Sequence, residues 1–282
     1  MADVESSPVA QGFEVLSDET RLAILRALAD HLSGEPGSPA VGFADLRRRV
    51  GVRDSGNFSY HLEQLEGQFV TKTSDGYRLA PAGFEVVAAM VTGSYNGEAQ
   101  LGSLELSEAC PHCGDILRAT YEEGILRVAC GEGHEFRNVI PPAVVADRSL
   151  EGIIDCWTAK TRRDLLFAID GHCPFCYARL ELSIEPDAHV DTKEVETRCD
   201  RCGAGFEIPI IVAAARDPRV GAFYFEYGID ITARPLWDPV RYEPVDITRR
   251  EDPVRFEVAI QLEGDRLVAI LNESLAVVEV RR

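Results

Sequence analysis

The chain has 282 residues, is 45% hydrophobic and carries 47 acidic against 29 basic side chains, a formal net charge of -18. That length supports two or three small domains with cores of their own, and no apolar stretch approaches the roughly 20 residues needed to cross a bilayer. The charge balance excludes a broad basic face of the kind nucleic-acid binders commonly present. The opening residues are acidic rather than apolar, unlike a signal peptide, which points to a reducing, cytoplasmic setting.

Residues 1–11 are expected to be a disordered N-terminus. Phe13 to Leu32 reads as a helix, with Leu16, Leu22, Ile24, Leu25, Leu28 and Leu32 on one face, Ser17 as N-cap and Asp18 and Glu19 in its first turn. The turn-rich segment Ser33 to Gly42 leads to a short helix, Phe43 to Val50, ended by Gly51. Asp54 or Ser55 then caps a third helix running to Glu66, with Phe58, Leu62 and Leu65 on its apolar side. Phe69 to Thr73 and Tyr77 to Leu79 flank a Ser74-Asp75-Gly76 turn and predict a hairpin. Pro81 opens a closing helix that runs to about Met90. Helix, helix, helix, hairpin, helix over residues 12–92 is the order of a winged helix-turn-helix.

In this stretch the chain resembles the ArsR-like family of transcriptional regulators. Leu16-Ser-Asp-Glu-Thr-Arg-Leu-Ala-Ile-Leu25 is similar to the family's first-helix signature, and Asn57-Phe-Ser-Tyr-His-Leu62 with Leu65 to its recognition helix. The resemblance implies DNA contact through Asn57, Ser59, Tyr60 and His61, and a homodimer presenting two such helices. For His61 a packed position supporting the helix is the alternative. From the residues themselves, Ser55, Asn57, Ser59 and Tyr60 fall away from the apolar side of the helix, where short polar groups can reach base edges. Arg47, Arg48, Arg49 and Arg53 flank it, and Lys72 and Arg78 lie on the hairpin, suited to phosphate contact. Residues 1–92 nevertheless hold eight basic and thirteen acidic side chains, and Glu63 and Glu66 sit on the reading helix. Binding would have to rest on a local arginine patch and on shape. The sensor metal sites of ArsR-like relatives do not carry over, since no cysteine precedes Cys110.

Only Lys72, Lys160 and Lys193 are lysines. Such an acidic, lysine-poor composition resembles the proteins of extreme halophiles, including haloarchaea, where surface carboxylates serve hydration at molar salt. The alternative is an ordinary acidic protein that shuns polyanions.

Residues 93–107, rich in Gly, Ser and Glu, read as a linker. Beyond them, seven of eight cysteines fall into two clusters: Cys110 and Cys113 with Cys130 and His134, and Cys173 and Cys176 with Cys199 and Cys202. Paired thiolates on two tight turns joined by one hairpin supply the tetrahedral set that zinc prefers, so two structural zinc ions are expected. His134 is inferred from its position, with His112 as a competitor, and a disulfide framework is the rival reading. Cys156 reads as a core residue in an apolar helical run. Asp115 to Tyr121 and Ile125 to Ala129 form the hairpin of the first site; Ala178 to Ile184 and Glu194 to Arg198 are its counterparts in the second.

Each ribbon is followed by a helix, capped by Ser149 in the first and Asp217 in the second. Pairing His134 with Cys202, Pro141 with Pro209, Ser149 with Asp217 and Trp157 with Phe225 holds one constant offset, which points to a duplicated ribbon-plus-helix unit. Val254 to Leu262, Leu267 to Leu271 and Leu275 to Val280 predict a terminal antiparallel sheet.

The expected fold is α+β: a winged helix-turn-helix (12–92), a linker (93–107), zinc ribbon 1 plus helix (108–170), and zinc ribbon 2 plus helix and antiparallel sheet (171–282). The expected function is sequence-specific binding of double-stranded DNA by a transcriptional regulator. Its zinc-stabilised C-terminal part would mediate dimerisation, effector binding or protein contact. The alternative is a general factor that contacts the transcription machinery, since a winged helix before a zinc ribbon also resembles archaeal transcription factor E. Four protein ligands at each metal leave no open coordination position, and no catalytic constellation stands out, so an enzyme is not expected.

Overall fold

The computed structural model describes residues 7–34, 40–93, 99–182 and 193–282. The chain divides into two compact units, Met1–Gly97 with Pro141–Ala143, and Glu98–Ile140 with Val144–Arg282. Helices and four small antiparallel sheets follow one another along the described residues, an α+β arrangement. No helix among them is long and apolar enough to cross a membrane.

The first unit begins with α1 (Pro8–Leu16) and α2 (Glu19–Gly34). The single helix expected from Phe13 to Leu32 is therefore broken. Ser17 donates its hydroxyl to the Glu14 carbonyl at 2.7 Å and closes α1, while Asp18 accepts the Arg21 N–H at 3.1 Å and opens α2. Short polar side chains compete for backbone hydrogen bonds and so end helices; Asp18, not Ser17, is the cap. Residues 8–11, expected to be disordered, lie in α1, and residues 1–6 lie outside the described residues.

α3 (Phe43–Val50) ends at Gly51, whose φ of 80° is the left-handed conformation a helix end needs. α4 (Ser55–Leu65) is capped by Asp54, which accepts the Asn57 N–H at 2.6 Å. The hairpin β1 (Val70–Thr73) and β2 (Gly76–Leu79) follows, then α5 (Pro81–Val91). Of the expected turn segment 33–42, residues 35–39 lie outside the described residues; Val41 joins the hairpin by exchanging backbone bonds with Tyr77 at 2.8 and 2.9 Å. Ile24, Leu25, Leu46, Phe58, Leu62 and Leu65 form the fully buried centre of this unit.

The second unit opens with β3 (Gln100–Ala109), β4 (Ile116–Glu122), β5 (Ile125–Ala129) and β6 (Glu135–Val139), paired antiparallel in that order. Residues 100–107, expected as linker, are thus strand. Leu101, Leu104 and Leu106 pack on the core, and the Gly, Ser and Glu residues that suggested a linker supply the other face. α6 (Leu150–Ile169) is capped by Ser149 and buries Leu150, Ile153, Trp157, Thr161, Leu165 and Ile169.

β7 (Glu194–Arg198) pairs with β8 (Gly205–Pro209), and among the described residues it forms no ladder with 178–182, part of the strand 178–184 expected as its partner. In that segment Arg179 makes only an isolated bridge to His172, and residues 183–184 lie outside the described residues. After β8 come α7 (Ile210–Ala214) and α8 (Pro218–Glu226), the latter capped by Asp217. The terminal sheet has four strands in the order β12-β11-β10-β9: β9 (Val245–Arg250), β10 (Arg255–Leu262), β11 (Asp265–Asn272) and β12 (Val277–Arg281).

The expected internal repeat is matched in part by the backbone: the hairpin sheets differ, four strands against two, but the segment that follows them corresponds. The 3-10 turn Pro142–Val145 before α6 corresponds to α7 before α8, and Ser149 and Asp217 are the matching caps. It does not hold for Trp157 and Phe225: the first is 2% exposed and the second 66%.

Candidate metal centres and nucleic-acid interface

Four tight turns build the metal-type sites. In three of them the N–H of the first cysteine donates to the carbonyl five residues on, and the residue four places on donates back to the cysteine carbonyl. Cys110 does this with Asp115 and Gly114, Cys173 with Ala178 and Tyr177, and Cys199 with Ala204 and Gly203, all at 2.8–2.9 Å. The returning residue has positive φ each time: 76° at Gly114, 59° at Tyr177 and 76° at Gly203. This bend turns the second thiol, three residues after the first, to the same side. The Cys130 turn closes one residue sooner: Cys130 N–H donates to the His134 carbonyl at 3.1 Å, and Gly133 takes the positive φ, at 89°. The ligand position then falls on His134, whose longer side chain reaches back to the thiols.

The donor atoms converge. Those of Cys110, Cys113, Cys130 and His134 lie within 4.8 Å of one another, as do those of Cys173, Cys176, Cys199 and Cys202. Cys113 Sγ is 3.7 Å from Cys130 Sγ, and His134 Nδ1 is 3.7 Å from Cys110 Sγ and 3.5 Å from Cys130 Sγ. In the second set Cys173 to Cys202 and Cys176 to Cys199 are both 3.6 Å. A tetrahedron with zinc–sulfur bonds of about 2.3 Å has edges of about 3.8 Å, whereas a disulfide requires about 2.05 Å. All eight cysteines are free, so the disulfide rival is set aside. Each set could hold one metal ion, with donors suited to zinc. His112 is not in the first set: its ring stacks on Phe136 and lies 5.0 Å from that of His134. Cys156 is half-buried on α6, outside both sets.

The thiols are electrostatically unequal. The N–H of Cys202 leads the groups that draw Cys199 down to about 7. At Cys202 the Ala204 N–H also lowers the pKa, but burial and the three neighbouring thiols prevail and push it up to about 12. The first set repeats the division. Burial opposes ionisation of Cys130, yet the backbone and ring of His134 and the Cys113 thiol bring it to about 7, while burial, Cys110 and Cys130 outweigh the Asp115 N–H and lift Cys113 to about 11. Crowding four acceptors leaves protons on the set that a cation must displace.

In the first unit Ser55, Asn57 and Tyr60 are exposed along α4, and Ser59 is half-buried, its hydroxyl donating to Glu63 at 3.0 Å. Arg48 and Arg53 are exposed and Arg47 half-buried, donating to the Arg53 carbonyl at 3.3 Å. Arg48 and Arg49 both pair with Asp45 at 2.9 Å, an arrangement announced by their i, i+3 and i, i+4 spacing. Pairs this exposed contribute little and can yield to a phosphate.

One sequence expectation needs correction. His61 is 8% exposed and turned inward, with Nδ1 3.3 Å from Asp18 Oδ1, so its side chain supports α4 rather than lying on its outer face. Lys72 and Arg78 do not share a face of the hairpin. Both are exposed: Lys72 pairs with Tyr77 and lies 5.6 Å over its ring, whereas Arg78 pairs with Thr71 on the opposite side.

Comparison with known families places residues 107–277 in a match to the family described as Domain of unknown function (DUF7351), and residues 9–90 in a match to Domain of unknown function (DUF7347). The first match runs through both cysteine sets and most of the terminal sheet. A search of curated proteins finds no match.

Proposed function

The chain belongs to the DUF7351 family, and we propose that it is a sequence-specific DNA-binding transcriptional regulator whose second unit is a zinc-stabilised scaffold for dimerisation, effector or protein contact. The observation that carries the reading is the exposed N-terminal part of α4. Asp54 caps it, and Ser55, Asn57 and Tyr60 stand free of the core formed by Phe58, Leu62 and Leu65. A polar helix start on a buried apolar stripe, with α3 before it and a hairpin after it, suits a winged helix-turn-helix reading the major groove. Arg53 and the outward Arg78 form no ion pair among the described residues and are suited to phosphate, and Arg47 and Arg48 lie nearby.

The metal ions in this reading are structural. Cys110, Cys113, Cys130 and His134 would hold one, and Cys173, Cys176, Cys199 and Cys202 the other. A bound divalent ion would tie together hairpins too short to sustain cores of their own. Four protein donors close the coordination shell, as in structural rather than catalytic zinc sites.

Footprinting on DNA upstream of the chain's own gene, and genome-wide pull-down at molar potassium chloride, test the reading. A discrete protected site lost on Asn57→Ala supports it; uniform weak binding with no preferred sequence overturns it. The acidic balance of residues 1–92 favours one other reading, a factor held by RNA polymerase rather than by a DNA site. Co-purification with polymerase without a preferred DNA sequence would decide for it.

A further inference from the structure

The second unit encloses a cavity of about 360 Å³ between α6, α7 and residues 231–241. Its wall is mainly apolar, with Trp157 and Leu165 from α6, Val212 from α7, and Ile231 and Trp237 opposite. The two indole rings meet at 5.0 Å between centroids and are each 2% exposed. The volume lies near the lower end of the range for small-molecule sites, about 300–1,000 Å³.

The charges around it run against the composition of the chain. Arg162, Arg216, Arg234 and Arg241 line the cavity and no carboxylate does, although acidic side chains outnumber basic ones 47 to 29 overall. Arg241 is 4% exposed, and is fixed by donating to the Pro235 and Arg234 carbonyls at 3.0 and 2.6 Å. Arg216 and Arg234 reach Asp170 and Asp238 at 2.5 and 3.5 Å. Arg162 is exposed and forms no ion pair within 4 Å among the described residues, although Asp230 feels its charge at longer range, so its guanidinium can still turn to a ligand. Thr158 and Thr161 add hydroxyls.

We propose that this cavity binds a small anionic amphiphile, a carboxylate with an apolar acyl or aryl body. The body would lie against the two indoles and the aliphatic wall, where leaving water is favourable in proportion to apolar area. The head would meet Arg162, because guanidinium and carboxylate match as a bidentate, charge-assisted pair. A neutral chain of the same length gains only the first contribution, and a cationic one is repelled by the Arg162 guanidinium.

The site does not depend on the DNA-binding reading, because it is tested on the free protein. Trp157 and Trp237 are the two tryptophans of the chain and both line the cavity, so intrinsic tryptophan emission of the full chain responds to its filling, and the Arg162 and Ala215 variants below assign the response to it. Octanoate should change the emission saturably, with a Kd at least tenfold below that of 1-octanol, and octylammonium should give no saturation. Arg162→Ala, at an exposed position, should weaken octanoate about tenfold and leave 1-octanol unchanged. Ala215→Leu fills the cavity without adding a fluorophore and should abolish saturation. No saturation with octanoate, equal affinity for octanoate and 1-octanol, or an octanoate Kd unmoved by Arg162→Ala would overturn the proposal. None of these results bears on the footprint, so the two readings fail separately.

Discussion

Asp18 Oδ1 lies 3.3 Å from His61 Nδ1 and also accepts the Arg21 N–H at 3.1 Å, so one carboxylate both opens α2 and anchors the inner face of α4. Burial disfavours its charge, but the Arg21 N–H, His61 and further donors prevail and hold its pKa below the usual 3.8. A carboxylate depressed in the folded state contributes stability above its unfolded pKa and loses it as pH falls through the folded value. Asp18→Ala should therefore destabilise the first unit by about 1 kcal/mol, the usual contribution of an N-cap. The loss should be full at pH 7 and fade below about pH 4, as read by denaturant titration at both pH values.

Metal stoichiometry should be two per chain, falling to one in Cys176→Ser. Chelation should melt the second unit while α2, α4 and α5 keep their amide protection. Elemental analysis with hydrogen exchange on the two units reads both outcomes, and a first unit that unfolds with the second would contradict the independence of its core.

Affinity at the second metal set should rise with pH. Cys202, at about 12, holds a proton throughout the neutral range that a cation must expel, which by itself gives about a tenfold gain in affinity per pH unit and sets the minimum slope. Below about pH 7 Cys199 is protonated too, and the slope should steepen. Competition with a chromogenic chelator between pH 6 and 8.5 measures it; a flat profile would contradict the assigned thiols.

Gly76 should not tolerate a side chain. Its φ is 137°, and an added Cβ would stand 2.3 Å from the Val41 carbonyl oxygen, at the point where Val41 pairs with Tyr77. Gly76→Ala should cost roughly 1–3 kcal/mol and lower the first unit's melting midpoint, while leaving metal content at two.

On the proposed DNA surface, Asn57→Ala should relax base preference by about 1–3 kcal/mol at its contacted position. Arg78→Ala should weaken all sequences alike and reduce the salt slope by about one. Lys72→Ala, on the opposite face of the hairpin and over the Tyr77 ring, should alter the slope less than Arg78→Ala.

The metal sets were legible because each turn is written in a few adjacent residues: a Cys-x-x-Cys pair prescribes its own bend, and Gly133 beside His134 marks the shorter turn. The buried stripe of α6 was equally plain, since Leu150, Ile153, Trp157 and Leu165 keep helical spacing. Composition misled at β3, where outward Gly, Ser and Glu hid the inward leucines. Competition between local signals misled at Ser17 and Asp18, both good caps, of which only the second opens a helix. The inward turn of His61 and the separation of Lys72 from Arg78 depend on which face the core claims, and no single segment states that. The cavity was invisible for the same reason: Trp157 and Trp237 meet across 80 positions of sequence.

The shortened turn at Cys130 makes the two centres chemically unlike. A divalent ion held by three thiolates and one imidazole carries one surplus negative charge; held by four thiolates it carries two. The second centre is the softer and more electron-rich, so a thiophilic ion such as cadmium should enter there first. One missing residue thereby sets an order of exchange between two sites that one duplicated pattern built.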